Sequence, residues 1–252
     1  MRRILPLLPL LVVLIAWEAA ALSGAWNKLL FPPLERIFRE FLAFFMKSEM
    51  LTEAWTSLTR ALGGFALAAV AGVTLGMLMG RSRLVRAALD PFFSGTYAVP
   101  KLALFPIFIF VFGIGSLSKV ALVFLECLYP IVLITAQGAR HVPPVLVWSA
   151  GNMGASPLTL LRRVVLPATA PFIFAGLRVA LPVALIVVII TEMVSSADGL
   201  GYQVIYALSS LRTDRLLALV VVIALLGWAL DRALVMLRDR LVYWEKLETY
   251  YV

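Results

Sequence analysis

Six apolar runs, each close to the length needed to cross a bilayer, constrain this 252-residue chain more than any other feature. An α-helix rises about 1.5 Å per residue, so about 20 apolar residues span the hydrocarbon core. The runs are Ile4 to about Leu22, Ala61 to Gly80, about Phe92 to Gly113, the stretch between Lys119 and Arg140, Ala168 to about Glu192, and about Leu216 to Leu237. The third contains Pro100, Lys101 and Pro106, which predict a kink or break near its start. Only 14% of residues are charged and 62% are hydrophobic, so the expected solvent is lipid. The expected fold is all-α: a polytopic membrane protein of six transmembrane helices, forming one domain over residues 1–252.

Lys and Arg number 22 against 14 Asp and Glu, giving a net charge of +8. The cations are scattered in twos and threes between apolar runs rather than gathered on a face, which argues against nucleic acid and for loop charge that sets membrane orientation. Arg2, Arg3, Arg81, Arg83, Arg86, Arg140, Arg162, Arg163, Arg238, Arg240 and Lys246 fall on one side if both termini are cytoplasmic. The opposite loops hold Lys119, Arg212 and Arg215, and a first outer segment in which Lys28, Arg36, Arg39 and Lys47 are balanced by Glu35, Glu40, Glu49 and Glu53. Residues 1–22 read as a retained anchor in preference to a cleaved signal peptide, because Trp17 and Glu18 interrupt the small-residue end.

In the first outer segment, Leu34, Ile37, Phe38, Phe41, Leu42 and Phe45 recur at helical spacing. Glu35 with Arg39 and Arg36 with Glu40 stand four apart on the other face. A short amphipathic helix is predicted, resting either on the outer membrane surface or on the protein's own top. The second run places Gly64, Ala68, Gly72, Gly76 and Gly80 four residues apart, a stripe of small side chains for close helix packing. One cysteine, Cys127, and one histidine, His141, leave no disulfide and almost no metal chemistry.

The most informative segment is the loop Gly138–Pro167, the longest cytoplasmic connection. Pro143 and Pro144 stop the preceding span. A short helix over about Val145–Met153 would close at Gly154, and Ser156 with Pro157 would start a second over about Pro157–Val164, ending before Leu166 and Pro167. Two short helices with apolar faces, joined at a glycine turn, suit docking to a cytoplasmic partner.

This loop resembles the EAA loop of permease subunits in bacterial ATP-binding-cassette importers. The matching positions are Trp148, Ser149, Ala150, Gly154, Val165, Leu166 and Pro167, with Trp148 where the family has its glutamate and Ser149 where it has its first alanine. The run from Gly154 to Leu181, TEMVSSADGLGY at Thr191–Tyr202, and residues Leu89–Val120 are similar to the nitrate/sulfonate/taurine class of these permeases. The similarity covers about residues 50–245. It implies a homodimer of six-helix subunits in the bacterial inner membrane, with two cytoplasmic ATPase subunits below and a periplasmic or lipid-anchored substrate-binding protein above. The chain would then be a transport subunit and no enzyme. It would bind no cofactor itself, ATP and Mg residing on the ATPase. Its solute would be a small anion such as nitrate, a sulfonate or taurine, or, as in related systems, a vitamin precursor. In that setting Trp148, Ser149, Ala150, Gly154, Arg162, Arg163, Leu166 and Pro167 form the expected coupling loop, with Arg162 and Arg163 open between ATPase contact and orienting charge.

Four ionisable residues fall within or at the ends of spans: Lys101, Glu126, Arg178 and Glu192. Charge at membrane depth is costly, so each should face protein or water. Two readings stand for each. They line a translocation path, or Lys101 pairs with Glu126, Arg178 snorkels and Glu192 caps a helix end. The segment Gly113–Lys119, GIGSLSK, superficially resembles a phosphate loop, but Ser118 stands where glycine is needed and Val120 follows the lysine; it reads as a tight outer turn. A secondary transporter without ATP coupling is the alternative function; no internal repeat supports it.

Overall fold

The computed structural model describes residues 8–24, 26–27 and 29–244, and among these there are helices and no strand. Arg2, Arg3, Lys28, Lys246 and the first residues of the Ile4 run lie outside the described residues. The helices are α1 (Leu8–Leu22), α2 (Leu34–Met46), α3 (Ser48–Arg81), α4 (Arg83–Thr96), α5 (Phe105–Phe112), α6 (Ser116–Arg140), α7 (Pro144–Asn152), α8 (Pro157–Leu160), α9 (Leu166–Ser195), α10 (Leu200–Ser209) and α11 (Thr213–Leu241). Among the described residues, four uninterrupted helical stretches are long and apolar enough to cross a membrane: α3, α6, Pro157–Ser195 and α11. A further pair, α4 and the segment Lys101–Phe112, is long and apolar enough only when taken together, and its two helices meet at 87°, the geometry of a broken span or a re-entrant loop. As described, α1 has 15 residues, short of a full crossing.

The elements depart from the sequence expectation in the number of spans, in α4, which starts at Arg83 and not near Phe92, and in three further places. α3 begins at Ser48, because nothing between Ser48 and Leu62 is Gly or Pro and the helix has no reason to stop. The helix that starts at Pro157 does not end before Leu166 and Pro167. It passes through a wide turn at Leu161–Val165, where the N–H of Leu166 reaches the carbonyl of Leu161, and continues to Ser195. Pro167 has no N–H for the carbonyl four residues back and its ring crowds that turn; widening the turn absorbs both. Lastly, the connection after α9 contains α10, which local pattern did not indicate.

The chain divides into two compact units, Met1–Ser57 with Glu192–Leu226, and Leu58–Thr191 with Gly227–Val252. In the second unit, α3 and α6 run in the same direction in close contact. A Cβ on Gly64 would meet Val123 at 2.6 Å, one on Gly72 would meet Ile131 at 2.7 Å, and one on Gly76 would meet Thr135 at 2.6 Å. Gly80 would meet Ala139 in the same way, and Ala68 is fully buried in the same core as Cys127. The stripe of small residues is therefore the seam that lets α6 backbone approach, and dispersion rather than hydrophobic transfer holds such a seam in lipid. α9 closes on α6 in similar fashion, where a Cβ on Gly138 would overlap the Phe172 ring.

In the first unit the Trp17 ring stacks on Phe31 at 3.9 Å and donates from Nε1 to the carbonyl of Pro32 at 3.1 Å. Glu18 accepts the N–H of Leu34 at 2.8 Å, one of the orphan donors at the start of α2. On α2, Glu35 pairs with Arg39 at 2.6 Å, but Glu40 pairs with Arg212 at 2.6 Å and not with Arg36. Phe44 is buried, whereas Phe38, Leu42 and Phe45 remain exposed.

Candidate functional site

The loop between α6 and α9 builds an apolar projection. Pro144 occupies the first turn of α7, where its missing N–H costs nothing. The helix closes in a left-handed turn: Gly154 has φ +77°, its N–H donates to Gly151 at 2.9 Å, and the N–H of Ala155 donates to Ala150 at 3.0 Å. Ser156 then caps α8, its Oγ accepting the N–H of Thr159 at 3.3 Å, with Pro157 next in line. Val147 and Leu160 pack on Met77, Ala139, Val142 and Val165, which anchors the loop from below. No residue of α7 or α8 is buried. Trp148 is 69% exposed and Met153 83%, and Val145, Leu146, Leu158 and Leu161 are exposed beside them. Ser149 and Ala150 lie on α7, Arg162 and Arg163 in the wide turn, and Leu166 and Pro167 in the first turn of α9. The loop residues named from sequence thus form one contiguous segment.

Within the second unit, Lys101, Glu126 and Arg178 have separate surroundings. Lys101 is 7% exposed. Its Nζ donates to the carbonyls of Tyr97 at 3.2 Å and Val99 at 3.3 Å and lies 4.0 Å from the centre of the Tyr129 ring. Tyr129 shares a 2.7 Å hydrogen bond with Thr96 and meets Phe93 edge-on. Glu126 is half-buried on α6, and among the described residues no ion pair joins it to Lys101.

Arg178 does not extend alone toward a membrane surface. Its Nε and one terminal nitrogen donate to the two oxygens of Asp231 at 2.8 and 3.1 Å, a bidentate pair between α9 and α11. Removing one partner strands the other at membrane depth, whereas removing both does not. Arg178→Leu and Asp231→Leu singly are each expected to lower the thermal midpoint of the purified protein by at least about 2 °C more than the double replacement does. Equal or additive losses would mean that the pair is inert.

Glu192, in the last turn of α9, is fully buried, and its carboxylate reaches the start of α10. Its Oε2 accepts from Ser57 Oγ at 2.7 Å and from the N–H of Gly201 at 3.0 Å, while Ser57 Oγ accepts the N–H of Leu200 at 2.8 Å. Glu53 takes the N–H of Gly199 and, through its other oxygen, Gln203 Nε2 at 3.1 Å; Gln203 in turn accepts from Arg215 at 2.8 Å. The first free N–H groups of α10 thus meet two carboxylates and a hydroxyl, a strong cap for the positive end of the helix. Gly199, at φ +94°, leaves room for the Glu192 carboxylate that a Cβ would strike. Ser57, Glu53, Gln203 and Arg215 were not visible as partners in the sequence, since they come from residues far apart along the chain. Of the segment Gly113–Lys119, only Gly113–Gly115 is the turn between α5 and α6, and Ser116–Lys119 open α6; Lys119 Nζ donates to the carbonyl of Ile114 at 2.8 Å and Ser118 to that of Gly115 at 3.0 Å.

These features converge with comparison to known proteins. Residues 72–243 match the family described as binding-protein-dependent transport system inner membrane components, and the chain belongs to that family. It is therefore a permease subunit of the binding-protein-dependent, ATP-binding-cassette importer type. It is 33% identical to an ABC transporter permease protein of Methanocaldococcus jannaschii over 95% of this chain and 91% of that one. It is 32% identical to the taurine transport system permease protein TauC of Escherichia coli, over 93% of this chain and 87% of the relative. The bicarbonate transport system permease protein CmpB of Synechococcus elongatus is 32% identical over 91% and 86%. In fold it resembles the MetNI methionine ABC transporter, with a TM-score of 0.57 at 19% identity, covering 75% of this chain and 97% of that one. An amino acid ABC transporter gives 0.59 at 16% identity, covering 84% and 97%.

Proposed function

We propose that this chain forms the translocation path for a small anionic solute and couples it, by alternating access, to a separate ATPase that docks on α7 and α8. The observation that carries the reading is the loop's shape. An anchored helix–turn–helix presents Val145, Leu146, Trp148, Met153 and Leu158 outward, a surface that is costly to leave in water. The names of the relatives, taurine and bicarbonate permeases, support an oxyanion-bearing solute. In the assembly the chain works as a homodimer in lipid, with both termini cytoplasmic, and receives solute from a binding protein on the far side. ATP and Mg are bound by the ATPase alone. Closure of the ATPase dimer moves the loop, and the packed helices above carry the displacement to the path.

The test is a gentle detergent pull-down of the tagged chain from native membranes followed by mass spectrometry. Near-equal recovery of a protein bearing a phosphate loop is expected. Recovery of the chain alone, still moving solute in vesicles without ATP, would select the secondary-transporter alternative. A second expectation concerns Gly154. At φ +77° a β-branched side chain is strained by about 1–3 kcal/mol, so Gly154→Val should distort the turn between α7 and α8. ATP-driven uptake is expected to fall at least tenfold while the protein remains in the membrane; unchanged uptake would dismiss the assignment of this turn to coupling.

A further inference from the structure

We infer that Lys101 is an oxyanion-binding residue placed halfway across the membrane, where it meets the sulfonate, carboxylate or carbonate group of the transported solute. The inference rests on the importer reading above and assigns within it the chemical group that is recognised.

The first observation is a charge without a counter-charge. Lys101 is 7% exposed, and among the described residues its ammonium has no carboxylate partner. It has three donors. Two are spent on carbonyls at 3.2 and 3.3 Å, longer than the usual 2.9–3.0 Å, and the Tyr129 ring stands 4.0 Å away. Carbonyl dipoles and a ring quadrupole supply partial negative charge only, so a full positive charge is left under-compensated in a low-dielectric setting. The other spans treat charge differently, as Arg178 shows with its bidentate aspartate.

The second observation is independent and concerns the backbone. Between α4 and the turn at Lys101, residues Tyr97, Ala98, Val99 and Pro100 are non-helical or turn and all are exposed. Unwound backbone at membrane depth is stable only where it faces water or protein, because lipid offers its N–H and C=O groups no partner. Depth follows from Tyr129, the fourteenth residue of the 25 in α6, which places the ring and the ammonium above it near the middle of that span. A sharply bent helix pair, an exposed non-helical segment and an uncompensated cation at mid-height are the components of a transport site for an anion. Thr96 and Tyr129 lie beside it, Tyr129 donating to Thr96 at 2.7 Å and Thr96 to the carbonyl of Phe92, so the free donor here is the third N–H of Lys101.

The experiment uses the purified full chain in lipid nanodiscs, followed by thermal unfolding through tryptophan fluorescence, with taurine, methanesulfonate and bicarbonate as probes and methanesulfonamide as the uncharged isostere. The three oxyanions are expected to raise the midpoint of the wild-type protein saturably, and methanesulfonamide is expected not to. Lys101→Gln should raise the concentration needed at least about tenfold, the scale of one lost charge-assisted hydrogen bond, and Lys101→Arg should restore most of the response. A response to taurine without methanesulfonate would place the recognised charge on the amine and overturn the assignment. So would equal responses of wild type and Lys101→Gln, or no response to any oxyanion. If Lys101→Gln does not fold, the contrast between methanesulfonate and methanesulfonamide on the wild type decides alone. Pull-down of the ATPase is scored in parallel: its recovery with no oxyanion response sinks the site and leaves the importer reading intact, and its absence sinks that reading.

Discussion

Replacing Gly76 with valine is expected to lower the amount of this protein in the membrane several-fold or more. The position has no slack. Even a methyl there would meet Thr135 Cβ at 2.6 Å and the carbonyl of Val132 at 2.8 Å, and a backbone oxygen cannot rotate away. The helices must separate, and separation removes contact along the whole seam of Gly64, Ala68, Gly72, Gly76 and Gly80. Overpacking of this kind costs about 1–3 kcal/mol for a single added group, and valine adds more than one. Losses of that size change abundance several-fold in cells. Gly63→Ala is the matched control, because a Cβ there meets only Val120 methyls at 3.9 and 4.0 Å, an ordinary contact. Immunoblots of membrane fractions and the monodisperse yield in detergent report the result. Equal abundance of the two variants would mean that α3 and α6 do not depend on this approach.

Trp148→Ala is expected to cost most of the co-purified ATPase, a drop of about tenfold or more. The indole is 69% exposed and falls at the position of the glutamate in the EAA pattern that this loop resembles, with apolar neighbours Val145 and Leu146 on the same short helix. A docking contact built from these groups is apolar, so the partner must offer a greasy recess and not a cation. Central tryptophans in such contacts are worth about 2 kcal/mol or more, which is roughly thirtyfold in affinity. Two corollaries separate this from an ionic contact. Trp148→Phe should keep most of the association, and raising salt should leave the wild-type complex intact, since screening acts on charge. Stoichiometric ATPase with Trp148→Ala would show that the loop's contact lies elsewhere.

What the sequence makes legible here is whatever depends on period or on a single residue's backbone preference. Glycines four apart announce a seam, Pro144, Gly154, Ser156 and Pro157 announce the ends of α7 and α8, and Pro100 with Pro106 announces the break that measures 87°. Side-chain partnership across the fold is another matter. Lys101 answers to carbonyls two and four residues back and to a ring on α6, not to Glu126, because an unwound turn creates acceptors that no residue type advertises. Arg178 finds Asp231, 53 residues on, and Glu192 finds Ser57, 135 residues away. The uninterrupted passage from α8 into α9 escaped notice for a related reason: Pro167 reads as a stop, and only the wider turn at Leu161–Val165 shows how the helix survives it.

The seam between α3 and α6 has one further consequence. Its contacts pair Gly64 with Val123, Gly72 with Ile131, Gly76 with Thr135 and Gly80 with Ala139, always 59 positions apart. Such a register works as a rack and pinion with its teeth locked. The notches recur about every 6 Å, the rise of four residues, and a slide by part of that distance would drive side chains onto backbone. The two helices are thus a single plate, with no glide of their own between adjacent notches. On the alternating-access reading proposed above, the movement must be taken up at breaks and turns, and the plate must travel whole.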